Sequence, residues 1–138
     1  MAAFIKIDQF VEDLCAGVHN LASDNLTIAL CATADTIVVA TDAVLADLSQ
    51  IVYTDCSSRL CVPTSCDETA GTAKLIIPDL VLTSTGTVGP FQWVVLYNAT
   101  PVAGPLIGYY NYGSALTLGN GETFTINFDG AAGVLTVA

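Results

Sequence analysis

Five cysteines, Cys15, Cys31, Cys56, Cys61 and Cys66, are the residues of this chain with the most chemical potential. The last three follow a C-x4-C-x4-C spacing, and clustered thiols of this kind bind zinc or pair as disulfides. The spacing argues against a metal. On a strand, a step of five residues puts Cys61 on the face opposite Cys56 and Cys66. On a helix the same step turns the side chain by about 140°. Neither form brings the three sulfurs together, and paired zinc ligands are usually roughly two to four residues apart. Cys56, Cys61 and Cys66 therefore read first as small buried hydrophobes or surface thiols. Disulfides within or between subunits are the alternative. An odd count leaves one thiol over, which suits an intersubunit crosslink, and Asp55 to Ala70 is polar and turn-rich enough to expose it.

His19 is the sole histidine, so any Ser-His-Asp or Cys-His arrangement must use it. It stands in Gly17-Val18-His19-Asn20-Leu21, most simply a turn leaving a helix, and neither G-x-S-x-G nor H-E-x-x-H occurs. A pair of carboxylates can hydrolyse a glycoside, but nothing selects two of them here. Asp24, Asp67 and Asp129 read as surface charges at turns, and no Asp-x-Asp-x-Asp calcium loop is present. No catalytic residue, cofactor or metal site is expected, and the chain does not read as an enzyme. Tyr109, Tyr110 and Tyr112, with Trp93, are candidate interface aromatics, since a Tyr/Trp platform stacks on sugars or packs on protein. Their alternative is the rim of a sandwich core.

The elements that must position these residues are mostly strands. Phe91-Gln92-Trp93-Val94-Val95-Leu96-Tyr97 is apolar on both faces and predicts a central strand covered on both sides. Phe124 to Phe128 alternates apolar with polar. The preceding Asn120-Gly121 predicts a tight hairpin that pairs it with Ala115 to Leu118. A second hairpin is expected at Asp129 to Gly133, leading to a strand over Val134 to Val137. Thr72 to Thr83 reads as one strand with a bulge or edge at Pro78, and Leu106 to Tyr112 as another with a bend at Gly108. Nearer the start, Phe4 to Asp8, Leu26 to Cys31, Ile37 to Val39 and Ile51 to Thr54 read as short strands. Ile7, Phe10, Val11, Leu14 and Val18 have helical spacing, with Gly17 ending the helix, and Val44 to Ser49 suits one helical turn. The expectation is a single β-rich domain over residues 1–138. It is mainly β, an antiparallel β-sandwich or jelly-roll-like fold of roughly eight strands with a short N-terminal helix.

Composition narrows the function. Of the 138 residues 53% are hydrophobic and only 12% charged, with 13 acidic against 3 basic residues and a net charge of −10. The charged share is roughly half the ordinary value, so part of the surface is expected to be covered by other subunits. Lys6, Arg59 and Lys74 are too few and scattered for phosphate contacts, which excludes direct nucleic-acid binding and disfavours anionic membranes. No apolar run is long enough for a spanning helix. The segment from Met1 to Asp8 lacks the basic region and apolar core of a secretory signal. The sequons Asn25-Leu26-Thr27 and Asn98-Ala99-Thr100 then carry little weight.

Several segments, taken in order, resemble a group of small tailed-bacteriophage virion structural proteins. These are Phe10-Val11-Glu12-Asp13-Leu14, Val18-His19-Asn20-Leu21, Leu26-Thr27-Ile28-Ala29-Leu30 and Val44-Leu45-Ala46-Asp47-Leu48. Further along come Val88-Gly89-Pro90-Phe91, Val95-Leu96-Tyr97-Asn98, Leu106-Ile107-Gly108-Tyr109-Tyr110 with Tyr112-Gly113, and Gly121-Glu122-Thr123-Phe124 with Phe128-Asp129-Gly130. Cys56 to Cys66 departs from the group, whose corresponding loop is mostly Ser, Thr and Gly. The resemblance implies a capsid decoration or cement protein in the virion, assembled in the host cytoplasm. Its implied partners are the major capsid protein and further copies of itself, as a homotrimer or other homo-oligomer. A tail, collar or baseplate component is the alternative, as is a carbohydrate- or receptor-binding module on the virion.

Overall fold

The computed structural model describes residues 2–138; Met1, the first residue of the N-terminal segment discussed above, lies outside them. In chain order the elements are β1 (Ile5–Lys6), α1 (Asp8–Cys15), β2 (Leu26–Cys31), a 3-10 turn (Leu45–Asp47), β3 (Leu60–Cys61), β4 (Ser65–Thr69) and β5 (Thr72–Ile76). They continue with β6 (Leu80–Thr83), β7 (Val88–Asn98), β8 (Leu106–Leu118), β9 (Thr123–Ile126) and β10 (Leu135–Val137). All strand pairs are antiparallel. The fold is mainly β with one short N-terminal helix, in keeping with a β-sandwich.

The doubly apolar strand sits where its composition demands. β7 is central in a five-stranded sheet ordered β1-β8-β7-β2-β3. Phe91, Val94, Val95 and Leu96 are fully buried, so both of its faces are covered. A three-stranded sheet, β10-β5-β4, and a two-stranded one, β6-β9, supply part of that cover. The Phe124 ring of β9 meets Phe91 at 5.4 Å and Tyr112 at 5.2 Å, both edge-on. Phe128 lies 6.1 Å from Tyr110. One buried cluster runs through all of these elements.

Sheet edges are closed by short means. Along β2, Cys61 and Leu60 pair with its first half, while the Ile51 amide donates to Leu30 and Gln50 bridges Cys31. The Tyr53 hydroxyl accepts the Leu30 amide at 2.8 Å, and the Arg59 guanidinium stacks on the Tyr53 ring, 3.6 Å from its centroid. At the far edge of the three-stranded sheet, β4 carries exposed Asp67 and Glu68, charges that discourage another strand from pairing there.

Several local expectations fail for one reason: the strands find partners distant in sequence. The Asn120-Gly121 turn forms, but it does not close a hairpin. β9 pairs with β6 and not with Ala115 to Leu118, which instead extends β8 along β7. Packing decides this, because Phe124 lies over Phe91 and Tyr112 and so places β9 across the sheet face. The Asp129 to Gly133 turn likewise leads to β10, whose partner is β5. Thr72 to Thr83 is two strands in two sheets. The break is at Ile77-Pro78-Asp79, where the Asp79 carboxylate accepts the Phe128 amide at 2.9 Å. Ile37 to Val39 and Ile51 to Thr54 are irregular, their backbone serving turns and edge contacts. Among the described residues ten strands form where about eight are expected, two of them only two residues long.

Gly108 is a site of close approach and not a bend. A Cβ there would stand 2.5 Å from the Ile5 carbonyl oxygen and 2.5 Å from the Phe4 ring. Gly108→Ala should therefore push β1 off β8 and cost about 1–3 kcal/mol. Urea denaturation measures it, and a loss below a few tenths of a kcal/mol contradicts the packing described.

Candidate interaction surface at the hairpin tip

The cysteines do not converge. Cys56 lies in a turn that bridges to Ser84, Cys61 is in β3 opposite Leu26, and Cys66 is in β4 opposite Leu75. Among the described residues no three His, Cys, Asp or Glu side chains gather closely enough to hold a metal ion. All five cysteines are free thiols. Burial pushes the Cys61 thiol up to about 12, and burial with Asp35 alongside does the same to Cys31. Burial also raises Cys56 and Cys66, less far. The thiolate is the species that exchanges or binds metal, so Cys31 and Cys61 serve as packing. Cys15 is exposed, and Cys56 and Cys66 are half-buried.

The tyrosines turn inward. Tyr109 and Tyr110 are buried on opposite faces of β8, Tyr109 edge-on to Trp93 at 5.6 Å and Tyr110 against Phe4 at 5.2 Å. Only Tyr112 keeps part of its ring exposed, and that ring already packs on Phe124. Two of the three rings are thus held in the chain's own core and offer no flat platform to a sugar.

Among the described residues, exposed large apolar side chains are spread over the surface, Val11, Val52 and Val81 included, and Val102 is the most exposed of them. The turn Pro101-Val102-Ala103-Gly104 joins the two longest strands, β7 and β8, and Val102 is fully exposed at its tip. Gly104 adopts φ +64, the left-handed region that suits glycine, and donates its amide back to Pro101 at 3.1 Å. Across the sheet, Cys61, Leu26 and Asn98 form one row, and the Ala99 amide donates to Asn25 in the next. Val62, 64% exposed, continues that second row, so it lies at the same end of the sheet as Val102. No residue between Asp79 and Glu122 carries a charge.

Two braces hold this tip. On one side the Leu45 amide donates to Gly104 and the Leu106 amide to Ala43, each at 2.9 Å, with Val44 bridging Pro105. Asp47 fixes that segment by accepting the Ala43 and Val44 amides, which hold its carboxyl below the ordinary range. On the other side the Asn25 amide donates to the Thr100 hydroxyl at 2.8 Å. Beneath it lies a buried polar cluster. Asn98 is fully buried, its Oδ1 accepts the Thr100 amide at 3.0 Å, and its Nδ2 donates to Asp24 and faces His19 Nδ1 at 3.2 Å. His19 is 6% exposed, and its Nε2 has no partner. Burial holds its imidazole below the ordinary 6.5, outweighing the opposite pull of Asp13 and Asp24.

Sequence reasoning missed this end of the molecule. Asn98 stands in a sequon, though a fully buried amide cannot accept a glycan, and the residues around His19 suggest only a turn. The available signals were an amide closing an apolar strand, two prolines bracketing Val102, and the long uncharged run around them. Compared with known proteins, the chain matches no family model, no curated protein and no solved structure.

Two measurements check the site. Asn98→Ala takes the partner from the Thr100 amide and from His19 Nδ1 and one of two donors from Asp24, and should cost about 1–3 kcal/mol by urea denaturation. With a thiol reagent on the native protein, Cys15 should react first, Cys56 and Cys66 more slowly, and Cys31 and Cys61 only on unfolding. Fast labelling of Cys61 contradicts its burial.

Proposed function

We propose that this chain is a structural protein of a tailed-phage virion, decorating or cementing the capsid by docking its hairpin-tip end on neighbouring proteins. The observation that carries the reading is the tip itself: an uncharged apolar turn, fully exposed at Val102 and braced on both sides. A surface already fixed in one shape loses little conformational freedom on binding, and burying one valine adds about 1.5 kcal/mol. Multiplied over a symmetric shell, small contacts of this kind stabilise the assembly by mass action. The order of the segments that resemble phage proteins supports the virion, and the net charge of −10 suits an outer surface better than one facing packaged DNA. Oligomer formation and contact with the major capsid protein belong to the same proposal.

Stoichiometry in purified particles tests it. On the order of hundreds of copies per particle supports shell decoration. About six to a few dozen moves the protein to the tail or neck, and absence from particles overturns the reading. Val102→Asp should fold normally, because the side chain is exposed, yet lower particle occupancy at least about tenfold by placing a charge in a dry contact. Unchanged occupancy would show that the tip is not the docking surface.

A further inference from the structure

We propose that His19 is an acid-operated latch on the hairpin tip: when its imidazole takes a proton from solvent, the loop from His19 to Asn25 releases the end of β7. The Val102 turn then keeps only the brace from Ala43 to Leu45. This stands whatever the tip docks against, and so is independent of the virion reading.

The geometry fixes the protons. Asn98 Oδ1 is committed to the Thr100 amide and its Nδ2 to the Asp24 carboxylate, so the amide has one orientation. Its Nδ2 therefore presents a donor to His19 Nδ1, 3.2 Å away, and Nδ1 must be the acceptor. The neutral ring carries its hydrogen on Nε2, the atom left without a partner. Protonation puts a second hydrogen on Nδ1 and sets two donors face to face. Asn98 cannot turn to relieve this without losing both Thr100 and Asp24. The ring cannot shift freely either, because Phe10 packs on it at 5.2 Å.

The charged groups around the ring are Asp13 from α1 and Asp24 from the loop itself; β7 contributes only the neutral Asn98. Both carboxylates favour the cation. Asp24 is occupied in the closed loop, where its Oδ2 also accepts the Asn20 amide at 2.8 Å. Opening lets imidazolium and carboxylate meet in water. The closed form is therefore fully favoured above the ordinary value of 6.5 and loses ground as the pH falls below it.

A chain with one histidine permits a direct test, because its imidazole C–H signals need no assignment by mutation. NMR titration of the native protein from about pH 7.5 to 5 avoids most carboxylate ionisations. The His19 midpoint should fall below 6.5. Over that range hydrogen-exchange protection at the Asn25, Ala99 and Thr100 amides, corrected for intrinsic rates, should drop by up to about tenfold per pH unit. Protection at Leu45 and Leu106 should hold. His19→Gln accepts from Asn98 but has no charge to gain, and should make the three amides insensitive to pH. A midpoint at or above 6.5, flat protection in the native protein, or the same acid loss in His19→Gln overturns the latch. If that variant does not fold, the two measurements on the native protein decide.

Discussion

The constraint on which the fold depends is that β7 must be covered on both faces. A strand with Phe91, Val95, Val94 and Leu96 fully buried tolerates no solvent on either side. The other elements follow from that need. β8 and β2 flank it, α1 lies against β8, and Phe124 of β9, with Phe128 in the loop beyond that strand, packs on the aromatic rings of β7 and β8. The small sheets would be marginal alone, since two or three short strands bury too little. They persist because the large sheet gives them a surface to rest on.

This dependence explains what could be read from the sequence. β7, β2 and α1 announce themselves through local pattern: apolar runs of the right length, helical spacing, and Gly17 at the helix end with φ +76. Pairing is different. Asn120-Gly121 specifies a turn, and a turn does not specify which strands it joins. Whether β9 lies beside β8 or over it depends on Phe124 finding Phe91, more than thirty positions away. Pro78 similarly signals an interruption without saying that Thr72 to Thr83 divides between two sheets. Irregular stretches such as Ile51 to Thr54 have strand-like composition because they line a sheet edge, where apolar side chains are useful and ladder geometry is not required.

The chemistry-bearing residues show the same division. Cysteine and tyrosine types leave packing and recognition both open, and burial places Cys31, Cys61, Tyr109 and Tyr110 in the packing. The residues that shape the exposed end were less conspicuous. Asn98 and His19 are single polar side chains whose role is visible only when a loop and a strand end meet. Together they convert a flexible connection into a fixed one. On this side of the tip, rigidity therefore rests in part on buried groups that never reach its surface.

β4 has a further consequence. Any protein crowded at high local density must hold some surfaces apart while leaving others free to adhere, and a chain with so few charges has little repulsion to distribute. Here the acidic side chains Asp67 and Glu68 stand on an open strand edge, where uncontrolled growth into fibres begins. The uncharged side chains stand on a convex turn, which can enter a recess but cannot template another strand. At that turn, stickiness takes a shape that saturates after a single contact.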